Sequence, residues 1–214
     1  MSPRTESVTI TGPAGALQCA IDHPAAAPGG TALGCAVFCH PHPLFGGTMD
    51  NKVIVTLARA FVQMGYVAVR FNFRGVGGSA GAWDEGRGEI DDALAVVDAL
   101  RRPGPLVLGG FSFGGYVASQ AAARLAALGR RATRLVLVAP AAKNFELADV
   151  PADTLVVHGA ADDVVPLAAV LEWAGTQSLP VAVIPGAGHF FHGQITLLKH
   201  LVLRAWNFQP PAGH

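Results

Sequence analysis

The 214-residue sequence predicts an α/β protein with a doubly wound, mostly parallel sheet, an N-terminal hairpin and helices on both faces. Two observations predict it. Six short apolar runs alternate with segments of helical length, and within the runs Val, Leu and Ile follow one another without a polar face. Strands covered on both sides need that pattern. Ahead of them, residues 5–11 and 17–22 alternate around GPAGA, as the two arms of a hairpin do.

In chain order, the hairpin is followed by HPAAAPGGT, a loop of Pro, Ala and Gly. LGCAVFC (33–39) then precedes a helix over 51–64 that Gly65 ends, and YVAVRF (66–71) leads to a helix over 86–102. PLVLGGF (105–111) turns into a helix over 114–128, stopped by Gly129. RLVLVAP (134–140), TLVVHG (154–159), a helix over 166–177, VAVIP (181–185) and a helix over 192–207 complete the alternation. The whole chain reads as one domain, 1–214, with QPPAGH in a flexible tail over about 208–214.

Composition narrows the function. Hydrophobic residues make up 51 % and charged ones 14 %, below the roughly 25 % usual in soluble domains, so the core is large. Fifteen Lys+Arg balance fifteen Asp+Glu, which gives no field to attract nucleic acid or an acidic membrane. MSPRTESVTI lacks the basic start and apolar core of a signal peptide, and charges such as Arg59 and Arg70 break any membrane-length run. A cytoplasmic protein is expected. Cys19, Cys35 and Cys39, odd in number and without a CxxC pair, read as small buried hydrophobes rather than a disulfide or zinc framework.

In a doubly wound sheet the reactive residues belong just beyond the carboxyl ends of the strands. Reading only those positions gives His40 and His42 after the first run and Ser112 after the third. Asp162 and Asp163 follow the fifth, and His189 the sixth. A hydroxyl, a carboxylate and an imidazole thus share one edge. A serine needs a neutral imidazole to take its proton, and the imidazole needs a carboxylate to fix its tautomer. LGGFSFGGYVA frames Ser112 as GxSxG between a strand and a helix, where Gly110 and Gly114 clear space for a tight elbow. Gly109 and Gly115 read as packing glycines, and Phe111 as core.

HPHPLFGGTMDNKV, FNFRGVGGSAG, GFSFGG, HGAADDVVP and GAGHFFHG, spread over residues 35–195, make the chain resemble the α/β-hydrolases, in particular the small serine hydrolases without a lid that are related to dienelactone hydrolase. The resemblance implies an α/β-hydrolase fold with no cap domain and a catalytic triad of Ser112, Asp162 and His189. It selects Asp162, four residues after His158, over Asp163, which becomes a capping or loop residue. His158 then anchors its own turn. The oxyanion would be held by the backbone N–H of Phe113 and by a second amide from the HPHPL loop. Proline has no N–H, so that second donor is His42 or Leu44, and position after the strand favours His42. Pro41 departs from the glycine usual there.

Only residues 141–153 separate the fourth and fifth runs, too few for a lid domain. The site is therefore expected to be open, with Leu44, Phe45, Trp83, Phe113 and Phe190 around it. His192 could touch substrate or cap the last helix, His200 and His214 read as solvated, and Ser79 in RGVGGSAG sits in a turn rather than a phosphate loop. His40 supports the loop, and an HxH zinc site with His189 and His192 is disfavoured. The expected function is a serine esterase cleaving small or short-chain carboxylic esters through an acyl-enzyme on Ser112, without metal or organic cofactor. It would act on a small molecule, with no nucleic-acid or membrane partner, as a monomer or homodimer. Thioesterase or peptidase activity on the same triad, and a non-catalytic binder, are the alternatives.

Overall fold

The structure, a computed structural model, describes residues 4–25, 32–100 and 102–207; the predicted tail over 208–214, with His214, lies outside them. Eight strands form one sheet: β1 (Arg4–Gly12), β2 (Gly15–His23), β3 (Cys35–Cys39), β4 (Val67–Phe71), β5 (Leu106–Phe111), β6 (Arg134–Val138), β7 (Leu155–Gly159) and β8 (Val181–Ile184). Their order is β1-β2-β4-β3-β5-β6-β7-β8. The hairpin β1–β2 joins through an antiparallel β2–β4 pair, and every later pair is parallel. The predicted doubly wound sheet with its N-terminal hairpin is present.

Side chains alternate across each strand, and the helices cover both faces accordingly. On one face α1 (Lys52–Gln63) and α5 (Ile195–Asn207) bring Leu57, Phe61, Leu198 and Val202 onto Phe38, Val107 and Val136. On the other, α2 (Arg87–Ala99) and α3 (Phe113–Ala127) bring Ile90, Val96, Val117 and Leu125 onto Val37, Val69 and Leu108. α4 (Leu167–Thr176) seats Val170 beside Val156 and Val165. Two helix bounds differ from the sequence pattern. α2 stops at Ala99 because Pro103 disfavours helical backbone just before it. α5 starts at Ile195 because the Phe191 and Gln194 amides turn back onto the Gly188 and Phe191 carbonyls.

The winding places the site. β4 lies on one side of β3 and β5 on the other, so the crevice opens where the winding reverses. Cys39 registers with Gly110, and the loops after β3 and β5 therefore leave the sheet side by side. The β6–β7 connection, 139–154, holds no helix or strand, and no cap is built over this edge. Among the described residues no helix is long and apolar enough to cross a membrane.

Two glycines make the approach possible. A Cβ on Gly110 would overlap the Gly114 carbonyl, and one on Gly114 would overlap the Cys39 carbonyl. Gly114→Ala is expected to destabilise the fold by about 1–3 kcal/mol, the range for forced overpacking. Gly175, on α4, has nothing within 4 Å of such a Cβ. Gly175→Ala should therefore stabilise by about 0.5–1 kcal/mol. Urea midpoints of the two variants, shifting in opposite directions, check the pair.

Candidate active site

Ser112 sits between β5 and α3 with φ 55° and ψ −121°, a left-handed backbone that costs a non-glycine residue about 1–3 kcal/mol. The surroundings hold it there. Its N–H donates to the Val138 carbonyl at 3.0 Å, and its own carbonyl accepts from Gly115 (2.9 Å) and Ala141 (3.2 Å). The turn lifts the hydroxyl onto the N-terminal end of α3, where the helix dipole favours developing negative charge.

His189, in the turn after β8, lies with Nε2 3.1 Å from Ser112 Oγ and Nδ1 2.8 Å from Asp162 Oδ2. The structure thus brings together three residues spread over 77 positions, all nearly buried. Asp162 divides its oxygens. Oδ2 faces the imidazole, while Oδ1 accepts the Val164 and Val165 amides at 2.9 and 2.8 Å. Burial opposes its charge, but the hydrogen bonds from His189 and these amides outweigh that and hold the carboxyl below the usual aspartate range. Of the two roles open to Asp163, capping or loop, it takes the second: it is an exposed loop residue, and Pro166 occupies the cap of α4, while Asp162 braces the turn. His158 anchors its turn by donating Nε2–H to the Val165 carbonyl at 2.9 Å, with Asp162 Oδ2 3.4 Å away.

The loop after β3 supplies the second wall. His40, fully buried, donates Nδ1–H to the Pro41 carbonyl at 2.6 Å and accepts the Phe73 N–H on Nε2 at 3.1 Å. The Pro41 carbonyl and the His42 N–H belong to one planar peptide and point in opposite directions. By gripping the oxygen, His40 aims the His42 N–H. Its grip is itself anchored, because Asp92, buried, takes the adjacent Arg74 backbone N–H at 3.0 Å and the guanidinium at 2.8 and 3.0 Å. Of the two amides open from sequence, Leu44 N–H is taken by His42 Nδ1 at 3.2 Å. The N–H groups of His42 and Phe113 have no acceptor among the described residues.

His40 also titrates with folding. Burial pushes its pKa down to about 4, against the opposing bond to Pro41. The bond that Nε2 accepts from Phe73 needs the neutral ring, whereas the Nδ1–H donated to Pro41 is kept in either form. The unfolded chain takes up the proton near pH 6.5, so this stability is complete above about 6.5 and is lost as pH falls towards 4, by roughly 3 kcal/mol. His158, lowered chiefly by burial, acts in the same direction. Urea midpoints should fall from about pH 7 to about pH 4.5, and a flat profile contradicts this assignment.

The predicted pocket residues separate. Leu44, Phe45 and Phe190 are exposed, at 65 %, 85 % and 46 %, and Trp83 is half-buried with its ring 4.4 Å from that of His42. Phe113 does not line an open wall. Its ring is sealed among Phe73, Trp83, Tyr116 and Phe145, because the turn that raises the Ser112 hydroxyl sends the next side chain into the core. Phe145 went unnoticed in the sequence; it comes from the β6–β7 connection, and the strand-end reading extended past Pro140 reaches it. His192 is exposed beside Phe190, and His200 is exposed on α5. Ser79 donates to the Asn72 carbonyl and accepts the Gln18 amide, a structural role in its turn. Both ring nitrogens of His40 are occupied, and among the described residues no three His, Cys, Asp or Glu side chains cluster as metal ligands. The three cysteines are buried and unpaired; burial raises the thiols of Cys19 and Cys35 to about 12 and 11.

Comparison with known proteins agrees with this architecture. The family model described as serine aminopeptidase, S33, matches residues 44–146. An uncharacterized protein of Rickettsia prowazekii is 36 % identical over 176 residues, 73 % of this chain and 71 % of that one. The crystal structure of XC6422 from Xanthomonas campestris, described as an α/β serine hydrolase without lid, is 38 % identical. It aligns with a TM-score of 0.86 over 100 % of this chain and 99 % of its own. Dienelactone hydrolase from Anabaena variabilis shares the fold at a TM-score of 0.74 and 18 % identity, over 96 % and 98 % of the two chains. With so similar a relative along its full length, and a bare connection where a cap would be inserted, the chain belongs to the lidless α/β serine hydrolases.

Proposed function

We propose that the protein is a carboxylic-ester hydrolase that works through an acyl-enzyme on Ser112. The observation that carries the reading is the continuous relay of Ser112 Oγ, His189 and Asp162 at 3.1 and 2.8 Å on a strained elbow. His189 Nε2 takes the hydroxyl proton as Oγ attacks the ester carbonyl, while its Nδ1–H stays on Asp162 Oδ2. The carbonyl oxygen, now negative, accepts from the Phe113 and His42 amides. As the intermediate collapses, the same proton passes from Nε2 to the departing alcohol oxygen. Water then repeats the attack on the acyl-serine with His189 as base, releasing the acid and restoring Ser112.

The exposed Leu44, Phe45 and Phe190 and the missing cap support small or short-chain acyl groups; we propose a monomer or homodimer that takes its substrate from solution without a cofactor. Short-chain p-nitrophenyl esters test the reading, together with a fluorophosphonate that labels an activated serine. Absent turnover and absent labelling of Ser112 sink it. The match to the serine aminopeptidase model supports a second reading, peptide hydrolysis on the same relay. Asp162, already committed to His189 and two amides, is no partner for a substrate ammonium. Faster cleavage of amino-acyl p-nitroanilides than of matched esters would favour the peptidase.

A further inference from the structure

The side chain of His42 has a second nitrogen that capping does not use. Nδ1 accepts the Leu44 N–H at 3.2 Å, so the proton of the neutral ring resides on Nε2. Burial among its neighbours lowers the basicity of the ring. Those neighbours are aromatic. Ring centroids of Trp83, Phe45 and Phe113 lie 4.4, 4.7 and 5.1 Å away, with Phe145 at 6.1 Å. Nε2 has no acceptor among the described residues, yet it is not one of the sealed, unpaired polar atoms: it reaches solvent.

A cap for Leu44 alone needs only one acceptor, which an asparagine provides equally well. What the imidazole adds is an N–H at the edge of an aromatic surface, on the residue whose backbone N–H is left without an acceptor among the described residues. We infer that His42 is a specificity-determining residue: its Nε2–H selects small aromatic acyl groups that carry an ether, keto or hydroxyl oxygen. The inference rests on the ester-hydrolase reading. The flat acyl group lies against the exposed ring of Phe45 and the half-buried ring of Trp83, and its oxygen accepts from Nε2.

The experiment compares p-nitrophenyl esters of phenylacetic acids bearing a methoxy group at ortho, meta or para with their ethyl isosteres. A mirror series places the same substituents on the alcohol half, as aryl acetates. Each kcat/KM is divided by the hydroxide-catalysed rate, so only selectivity remains. The wild type should prefer one methoxy acyl group over its isostere by about 3- to 10-fold, the contribution of one hydrogen bond. The ratio should fall to about 1 in His42→Asn, which keeps the acceptor for Leu44 but loses the distal N–H, and return in part in His42→Gln. Because the readout is a ratio, a change in overall rate does not disturb it. A wild-type ratio near one throughout overturns the assignment, as does a preference unchanged in His42→Asn or confined to the alcohol series. Absence of turnover with every ester is a different result and removes the ester-hydrolase reading itself.

Discussion

Ser112→Ala should lower kcat on p-nitrophenyl acetate by about a million-fold, while a residual rate of roughly a thousand-fold over water persists. The loss is this large because the relay works as a unit: without Oγ, the His189 base and its Asp162 partner have no proton to move. The residual comes from the amides of Phe113 and His42, which remain in place to polarise a carbonyl attacked by water. Thermal stability should change little, since alanine inherits the φ of 55° and its strain. Measuring kcat and Tm on the same preparation separates lost chemistry from lost structure. Undiminished turnover in this variant would exclude Ser112 as the nucleophile.

Asp162→Asn is expected to cost about 10⁴-fold in kcat with the loop intact. The reason is the division of labour between the two oxygens. An asparagine can keep its oxygen on the Val164 and Val165 amides, where Oδ1 now accepts both. Its NH₂ then faces His189 Nδ1 in place of Oδ2, two donors meet, and the imidazole moves its proton to Nε2. That tautomer cannot take the proton from Ser112. Asp162→Ala should add a loss of stability of about 1–3 kcal/mol, because the two amides lose their acceptor. Asp163→Asn, at an exposed carboxylate, should leave the rate near that of the wild type. Equal activity in Asp162→Asn and the wild type would remove Asp162 from the relay.

Much of this molecule is legible in its residues alone. Runs such as CAVFC and LVVHG are buried at every residue, and their unbroken hydrophobicity announces interior parallel strands. Ser112, Asp162 and His189 stand out because each follows the carboxyl end of a parallel strand, the last of them β8, which lies at the sheet edge and is only partly buried. Less visible is the scaffolding behind them. Nothing local in HPHPL says that His40 holds the Pro41 carbonyl, because its other partner, Phe73, comes from a different strand end. Asp92 looks like one more surface charge on a helix until Arg74 is placed against it.

The order of strands and helices, the glycine-framed elbow and the strand-end position of each reactive side chain are written into the residues themselves. These depend on side-chain periodicity and backbone sterics acting over a few residues. How those ends meet is a matter of packing in three dimensions. That packing set the 3.1 Å approach of His189 to Ser112, gave Asp162 a second duty in bracing its turn, turned Phe113 into the core, and engaged the Leu44 amide while leaving that of His42 open. The approach of His189 to Ser112 and the burial of Phe113 depend on strand order and join residues far apart in the chain, which no local pattern records. The Asp162 and His42 bonds span only two or three residues, but they form because the surrounding loops hold those turns in place.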